Sequence, residues 1–496
     1  MTLPVSSQPT PSRHPLLGKT TATLLVLGAM LAVPYAHPRL KRFRVARAPW
    51  EPQEREAVAG AGEARADLTV GEATLSASTN EATVSNALPE KEHAALDPAE
   101  LARGVGSLAV EDPTGHALDA FYAALAHTIR KEPGAVTRIL HYGDSVITAD
   151  LISGTMRRLT QEQFGDAGHG FILTANPWEW YFHNDVNHSS SDGWTAFRIT
   201  GPLSGDGMYG LGGVSFHATG QASAWFATKQ SGDYGRKVSR FDVYYLEQPW
   251  GGDALLTLQG KQPVRLKTRG PKKVSRVFSL SSSDGPAQLT IKTWGNGDVR
   301  MFGVALERDV PGVVYDALGA NGARIRLWDM QSEVHWAEQF ALRRPALIIL
   351  QYGTNESENE LPELDDYDKA LNRTIAKVRE AAPDASILIA APLDRAEKDD
   401  NGKLRTKVII PRLVEMQRAA AFAQRCAFWN TYQAMGGEGT MARWVKADPK
   451  LATWDFTHPT PLGAEVIADL FFKALTTGYA AYASTHADAP PLDARP

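Results

Sequence analysis

The hydrophobic and polar positions divide the chain into parts with different periods. Residues 20–36 are an uncharged apolar stretch, and the short segment 1–19 before it carries Arg13 and Lys19. This length is near the lower limit for a membrane-spanning helix and slightly long for the apolar core of a cleaved signal. We expect an uncleaved membrane anchor at 20–36, with a cleaved signal or a buried core helix as the alternatives.

Beyond the apolar stretch, residues 37–97 show no regular spacing of large apolar side chains. This segment is rich in Ala, Glu, Thr and Ser and poor in aromatic residues. Neither a 3.6-residue nor a 2-residue period persists, so the segment has little apolar surface to bury. We predict a disordered linker.

Patterns of helices and buried strands begin near residue 98 and return after residue 310. In residues 98–170, apolar positions at helical spacing precede a short apolar strand that ends at Gly143, and a second helical pattern follows. In residues 311–485, continuous apolar runs such as 346–350 alternate with amphipathic helices. Such runs are typical of parallel strands buried on both faces. These two parts predict one α/β domain.

Residues 171–310 have a different pattern, with short alternating segments separated by Gly, Ser, Asp and Asn. Strands at short spacing with turn residues between them predict an antiparallel β-sandwich. We therefore expect an inserted β domain at 171–310 that interrupts the α/β domain, and a C-terminal tail at 486–496.

Composition and charge narrow the classes of function. Apolar residues make up 43% of the chain and charged residues 22%, which excludes wholesale disorder and a polytopic membrane protein. There are 52 Lys and Arg against 56 Asp and Glu, so the basic excess typical of a nucleic-acid-binding protein is absent. The single cysteine, Cys426, cannot form an internal disulfide or a Cys-rich metal site. We expect no nucleic-acid partner, no metal ion and no cofactor.

Four short fragments, far apart in the sequence, each end a predicted strand or precede a predicted helix. The carboxyl ends of parallel strands lie at one edge of a sheet, which is where ligands bind in such folds. All four can therefore meet there: Gly143-Asp144-Ser145, Gly319-Ala320-Asn321-Gly322, Gly353-Thr354-Asn355-Glu356 and Asp455-Phe456-Thr457-His458.

These fragments contain the residue types that hydrolytic acyl transfer needs. The reaction uses a hydroxyl nucleophile, an imidazole base, a carboxylate that orients the imidazole, and donors for the developing oxyanion. We predict Ser145 as the nucleophile, His458 as the base and Asp455 as its partner. The predicted oxyanion hole consists of the backbone N–H groups of Ser145 and Gly322 and the side-chain amide of Asn355.

In their order and their residues, the fragments resemble the four conserved blocks of the SGNH/GDSL hydrolases. The matching segments of this chain are HYGDSV, LGANGA, QYGTNE and DFTHP. Val146 stands where the usual nucleophile block has Leu, and Gly319 competes with Gly322 as the oxyanion donor. The resemblance covers about residues 98–170 and 311–485. It implies a flavodoxin-like three-layer α/β/α parallel sheet, interrupted here by the antiparallel β-sandwich.

A closer likeness is to the bacterial peptidoglycan O-acetylesterase branch, which carries a β-sandwich between the first and second blocks. The stretch RRLTQEQFGDAGHGFI resembles the transition into that insert. The resemblance implies an enzyme of the cell envelope, membrane-anchored or exported to the periplasm, whose insert is a carbohydrate-binding-like module. The basic residues that follow the apolar stretch conflict with export under the positive-inside rule: Arg39, Lys41, Arg42, Arg44 and Arg47.

Other polar residues near the blocks have structural interpretations. His141 lies within a predicted strand and is expected to be a satisfied structural histidine, while Asp144 is expected to form the turn and cap the helix. Glu356 is expected to line the site or form a salt bridge. A loose group around Asp185 lacks tight metal-ligand spacing, and its histidines are His169, His183 and His188.

Four aromatic residues near the start of the predicted insert have two interpretations: Trp178, Trp180, Tyr181 and Trp194. Their flat faces suit the C–H face of a sugar ring, and they also suit the core of a sandwich. The sequence does not identify substrate-binding residues.

The main functional hypothesis is a serine esterase that removes O-acetyl groups from a cell-envelope polysaccharide such as peptidoglycan, through an acyl-enzyme on Ser145. One alternative is a polysaccharide O-acetyltransferase with the same triad. The other is a tethered glycan-binding protein without catalysis. The expected partners are an acetylated polysaccharide and, through the N-terminal segment, a membrane.

Overall fold

The computed structural model describes residues 108–358 and 364–492, so the predicted anchor at 20–36 and linker at 37–97 lie outside the described residues. Within the described ranges no helix is long and apolar enough to cross a membrane. The α-helices of these ranges are α1 Asp119–Ile129, α2 Ser145–Thr148, α3 Leu151–Phe164, α4 Glu333–Arg343, α5 Leu364–Ala381, α6 Ile409–Ala423, α7 Thr431–Ala434, α8 Thr440–Lys446 and α9 Pro461–Thr485.

The strands of the same ranges follow in chain order: β1 Val136–Gly143, β2 Gly170–Leu173, β3 Asn187–Ser190, β4 Thr195–Arg198, β5 Val214–Ala218, β6 Ser223–Ala227, β7 Val238–Glu247, β8 Asp253–Leu258, β9 Val264–Lys267, β10 Val274–Gly285, β11 Gln288–Thr293, β12 Val299–Glu307, β13 Gly312–Gly319, β14 Leu347–Gln351, β15 Ser386–Ala390, β16 Ala396–Lys398, β17 Leu404–Thr406 and β18 Ala427–Trp429.

Five parallel strands form the central sheet in the order β13-β1-β14-β15-β18. Counted along the chain within this sheet, the order is 2-1-3-4-5, which is the flavodoxin-like order. All residues of β13, β14 and β15 are buried. The continuous apolar runs in the sequence therefore predicted these strands for the right reason, since both faces of the sheet are covered.

Helices cover the two faces of this sheet in separate layers. Along β14, Leu347 and Ile349 belong to one buried cluster, together with side chains of α1, α3 and α9. Ile348 and Leu350 belong to the other cluster, with side chains of α4, α5 and α6. Because successive side chains of a strand point to opposite faces, the two clusters lie on opposite sides of the sheet. The predicted α/β class is confirmed.

Between β1 and β13 the chain forms two antiparallel sheets. One has the order β10-β7-β12-β5-β4, with β2 also paired to β12, and the other has the order β3-β6-β11-β8-β9. Buried side chains of both sheets, such as Phe241 and Val304 in the first and Phe226 and Leu289 in the second, belong to one cluster. Additional antiparallel sheets thus occupy the predicted part of the chain, while the domain boundaries at 171 and 310 stay predictions.

A buried network of charges joins the first antiparallel sheet to the parallel sheet. Glu307, at the end of β12, accepts hydrogen bonds from Arg138 of β1, from Arg240 of β7 and from Arg343 of α4. Arg343 also donates to both carboxylate oxygens of Asp316 in β13, at 2.6 and 2.8 Å. Burial alone would raise the pKa of Glu307, but Arg343, Arg138 and Arg240 hold this pKa well below its ordinary value.

Replacing the central carboxylate of this network should destabilise the fold. Glu307→Gln keeps the size of the side chain but leaves three guanidinium groups with one anion fewer, and breaking a buried ion pair costs about 3–5 kcal/mol. We expect denaturant unfolding to show a loss of that order in the free energy of unfolding. Lys369→Ala removes an exposed partner of Asp366 and should change it by less than about 1 kcal/mol. Equal effects of the two substitutions would contradict a supporting role for the network.

Candidate active site

Three loops of the candidate site start at the same level of the parallel sheet. In the register of β1 with its neighbours, Gly143 pairs with Gly319 of β13 and with Gln351 of β14. The chain leaves all three strands at one edge, so the loops that follow lie side by side. The structure thereby brings together three fragments that are far apart in the sequence.

Ser145 is the first residue of α2, and only Asp144 separates it from the end of β1. The Asp144 side chain accepts a hydrogen bond from the backbone N–H of Val146 at 3.1 Å, which caps this short helix as the sequence predicts. Ser145 itself is only partly buried, while its neighbours Asp144 and Val146 are buried. The hydroxyl therefore stands at a strand-to-helix turn with access from outside.

Gly319 allows α2 to lie close to the end of β13. A Cβ atom at this position would be 2.2 Å from the backbone nitrogen of Thr148, which no side chain can tolerate. Gly322, three residues later, has a φ of +72°, a conformation that favours glycine. Gly322 is exposed at the end of the turn, whereas Gly319 is required for packing. The assignment of the oxyanion donor to Gly322 stays a prediction.

The predicted nucleophile, base and carboxylate form one chain of hydrogen bonds. Ser145 Oγ is 2.8 Å from His458 Nε2, and His458 Nδ1 is 2.7 Å from Asp455 Oδ2. The serine precedes the histidine by 313 residues, so the contact exists only through the fold. With Nδ1 donating to the carboxylate, Nε2 is left free to accept the serine proton.

Asp455 is held in place by its own loop. Its Oδ1 accepts hydrogen bonds from the hydroxyl of Thr453 at 2.6 Å and from the backbone N–H groups of Thr457 and His458 at 2.9 and 3.0 Å. Burial alone would raise the pKa of Asp455, but the hydrogen bonds from His458 and Thr453 bring it well below its ordinary value. The carboxylate is therefore ionised and oriented towards His458.

The loop after β14 places Asn355 and Glu356 beside the loop after β13. One N–H of the Asn355 amide donates to the carbonyl of Ala323 at 2.9 Å, next to Gly322. The buried Glu356 carboxylate accepts from the backbone N–H of Ile325 at 2.6 Å and from that of Gly353 at 3.1 Å. Glu356 thus joins the two loops that carry the predicted oxyanion donors, a role more specific than the expected polar lining.

Arg395 is a residue of this region that sequence reasoning missed. It follows β15, donates to the carbonyl of Thr354 at 2.8 Å, and donates to the hydroxyl of Thr457 at 3.0 Å. It therefore ties the loop of Asn355 to the loop of His458. The available signal was its position after a fourth parallel strand, at the same edge of the sheet.

His141 and the neighbouring histidines have structural surroundings. His141 is fully buried, with Nδ1 2.8 Å from the Tyr315 hydroxyl and Nε2 3.0 Å from Gln351 Oε1. This agrees with the structural role expected for it. His169 Nε2 lies 3.1 Å from His183 Nδ1, and no group of three or more potential ligands is placed to hold a metal ion among residues 108–358 and 364–492.

The four aromatic residues differ in their surroundings. Tyr181 is buried and Trp178 and Trp194 pack against the core, whereas Trp180 is 42% exposed. The sandwich-core interpretation therefore applies to three of the four. The segment that carries them adjoins the candidate site, because the backbone N–H of Phe182 donates to the carbonyl of Thr148 at the end of α2.

Residues 281–466 match the model of the GDSL-like lipase/acylhydrolase family. The matched range contains Gly322, Asn355, Asp455 and His458, while Ser145 precedes it. A comparison with curated protein sequences found no match.

Among solved structures, a peptidoglycan O-acetylesterase matches with a TM-score of 0.62 and 23% identity over 75% of this chain and 99% of its own. An acetyl xylan esterase has a TM-score of 0.25 at 18% identity, over 33% of this chain and 80% of its own. A family two carbohydrate esterase from Cellvibrio japonicus has a TM-score of 0.24 at 12% identity, over 62% of this chain and 97% of its own. Only the first match is close enough to show a shared fold. Together with the family match, it confirms the resemblance to the SGNH/GDSL hydrolases that the motifs predicted, and the chain is a carboxylic ester hydrolase.

Proposed function

We propose that this hydrolase is a serine esterase that removes O-acetyl groups from a cell-envelope polysaccharide, with Ser145 as its nucleophile. The observation that carries the proposal is the hydrogen-bonded chain from Ser145 Oγ through His458 to Asp455. An activated hydroxyl of this kind forms a covalent acyl-enzyme and so divides one difficult hydrolysis into two easier steps.

In the first half of the reaction, Ser145 Oγ attacks the acetyl carbonyl carbon while His458 Nε2 takes the hydroxyl proton. The C–O bond to the sugar then breaks, and His458 gives its proton to the leaving sugar oxygen. In the second half, His458 takes a proton from water, whose oxygen attacks the carbonyl carbon of the acyl-enzyme. The bond from that carbon to Ser145 Oγ then breaks, His458 returns its proton to Ser145, and acetate leaves. Asp455 keeps the imidazole in the required tautomer and stabilises it while it is positively charged.

The proposed oxyanion hole consists of the backbone N–H groups of Ser145 and Gly322 and the second N–H of the Asn355 amide. Support comes from the shared position of their loops at the sheet edge and from the hydrogen bond that orients the Asn355 amide beside Gly322. Such fixed donors stabilise the negative charge that develops on the carbonyl oxygen.

The choice of substrate class rests on two observations. The structure with the shared fold is of a peptidoglycan O-acetylesterase. Trp454, directly before Asp455, is 68% exposed, and a flat apolar face beside the catalytic pair suits a sugar ring. We place the enzyme in the cell envelope, where such a substrate lies, with residues 20–36 as its anchor or signal.

A polysaccharide O-acetyltransferase would use the same acyl-enzyme and pass the acetyl group to a sugar hydroxyl instead of water. A measurement of products separates the two: free acetate at the rate of substrate loss supports the esterase, and acetyl groups recovered on an added acceptor glycan support the transferase. A glycan-binding protein without catalysis would produce neither.

Removal of the nucleophile should abolish the reaction. Ser145→Ala deletes the attacking hydroxyl, and we expect acetate release from an O-acetylated polysaccharide to fall by about 10³-fold or more. Ser484→Ala, near the end of α9, is the matched control and should retain the wild-type rate. Acetate release by Ser145→Ala at the wild-type rate would exclude Ser145 as the nucleophile.

Loss of the proposed side-chain oxyanion donor should lower kcat more than it changes KM. Removing one such donor typically reduces kcat by about 10²–10³-fold, so Asn355→Ala is expected to show a reduction of that order. Asn372→Ala, on α5, serves as the control asparagine. An unchanged kcat in Asn355→Ala would rule out a transition-state contact from this amide.

The buried carboxyl group of Glu356 should make the stability of the fold depend on pH. Burial, with Asp144 adding to it, raises the pKa of Glu356 to about 7 from an ordinary 4.5. Its raised pKa contributes stability that is fully present below pH 4.5 and is lost as pH rises to about 7. Across this pH interval, the free energy of unfolding of the wild type should therefore fall by up to about 3 kcal/mol relative to that of Glu356→Gln. Unfolding midpoints of the two proteins at pH 4.5 and 8 measure it, and a constant difference would contradict it.

A further inference from the structure

Two tryptophans are exposed at one end of the antiparallel region. Trp250 follows β7 and is 55% exposed, and Trp294 follows β11 and is 47% exposed. The backbone N–H of Asp298 donates to the carbonyl of Trp250 at 3.0 Å. The backbone N–H of Trp294 donates to the carbonyl of Asp253 at 3.0 Å, so the two turns lie side by side. Because tryptophan is highly buried on average, two exposed indoles on adjacent turns require an explanation.

The same end of the molecule has an excess of basic residues. Between Asp253 and Asp284 the chain has seven Lys and Arg and no Asp or Glu, although its net charge is −4. This segment runs along the turn of Trp250, because the backbone N–H of Thr268 donates to the carbonyl of Gly252 at 2.9 Å. Five of the seven basic residues therefore belong to the strand and loop beside the exposed tryptophans: Arg265, Lys267, Arg269, Lys272 and Lys273.

The nearby carboxylates pair with only some of these cations. Asp253 accepts a hydrogen bond from Arg265. Asp206 accepts from Lys273 at 2.6 Å and also from the buried Arg300 at 2.7 Å. The other three cations of the group are exposed: Lys267, Arg269 and Lys272. The surface therefore keeps positive charge in contact with solvent, and such a surface attracts a partner with many negative charges.

Each exposed indole is stacked with one of the cations. The guanidinium carbon of Arg265 lies 4.3 Å from the ring centre of Trp294, and Lys273 Nζ lies 5.5 Å from that of Trp250. Tryptophan and basic side chains occur together at membrane–water interfaces, where the indole lies at the level of the headgroups and the cations attract anionic lipid. A soluble acidic polymer would use the cations and leave the indoles in water. The combination therefore favours a lipid surface.

We propose that this surface, the tryptophan end, docks on a membrane that contains anionic lipid. The tryptophan end comprises residues 248–253, 265–273 and 294–298. The indoles of Trp250 and Trp294 enter the headgroup layer, and the basic side chains contact the lipid phosphates. The inference goes beyond the proposed function and does not depend on it, because no residue of the tryptophan end is assigned to the reaction.

The first test uses the tryptophans of the full chain as reporters. Brominated acyl chains quench an indole only when it contacts the bilayer, so quenching reports docking even where residues 20–36 attach every variant to the vesicle. Vesicles of phosphatidylglycerol and phosphatidylcholine should quench the wild type, and Trp250→Phe/Trp294→Phe should lose at least about half of the quenched fluorescence. The control Trp180→Phe/Trp454→Phe removes two indoles outside this surface, 42% and 68% exposed, and should lose none of it.

Reversal of charge tests the electrostatic part. Each basic side chain near an anionic bilayer strengthens binding about fivefold, so Lys267→Glu/Lys272→Glu should abolish most of the quenching. Lys369→Glu/Lys473→Glu makes the same change of charge at exposed positions of α5 and α9 and should retain it. The wild type should also lose quenching on vesicles of phosphatidylcholine alone, and at a salt concentration of about 1 M, where the Debye length is about 3 Å.

Three results would overturn the proposal: equal quenching of the two tryptophan double variants, equal quenching by neutral and anionic vesicles, or no effect of the charge reversal at Lys267 and Lys272. Binding of soluble polyglutamate to this surface, without quenching by any vesicle, would identify a site for acidic polymers and would overturn it as well. Because esterase activity plays no part in these measurements, failure of the proposed function and failure of this surface are distinguishable.

Discussion

The position of β1 between β13 and β14 is the constraint on which the candidate active site depends. Parallel pairing sets Gly143, Gly319 and Gln351 at one level, so the three loops that follow begin side by side. Strand pairing alone therefore places Ser145 next to the loops that carry Gly322 and Asn355, with no need for a bound substrate. A shift of the register by one residue would turn every side chain of β1 to the other face and move the serine with it.

Around this sheet edge, buried polar groups fix the directions of the loops, which apolar packing cannot do. Apolar contacts hold the layers together but leave the directions of loops undetermined, whereas hydrogen bonds and ion pairs are directional. Glu356 joins the loops after β13 and β14, and Arg395 joins the latter to the loop of His458. Farther from the edge, Glu307 and Arg343 link the antiparallel region to the parallel sheet. Each link satisfies charges that would otherwise be costly to bury.

Local patterns in the sequence predicted the elements whose residues all have similar surroundings. The run at 346–350 indicated a strand buried on both faces, and the four blocks indicated the loops that meet at the sheet edge. The sequence pattern did not predict β18, because this strand has only three residues, Ala427–Trp429. Arg395 could not be assigned, because its partners Thr354 and Thr457 lie 41 and 62 residues away. Adjacent aromatic residues such as Trp180 and Tyr181 differ in burial through tertiary contacts alone.

The late arrival of β13 has a consequence for synthesis of the protein. β1 ends at Gly143, but its neighbours begin only at Gly312 and Leu347, after both antiparallel sheets. At about 5–20 residues per second, roughly 10 to 30 s of translation separate β1 from its first partner. During that time both edges of the hydrophobic strand lack a partner, while the segment from β2 to β12 is being synthesised. The segment from β2 to β12 is therefore synthesised before β1 can pair with either neighbour, and the parallel sheet can close only when the last third of the chain has been made.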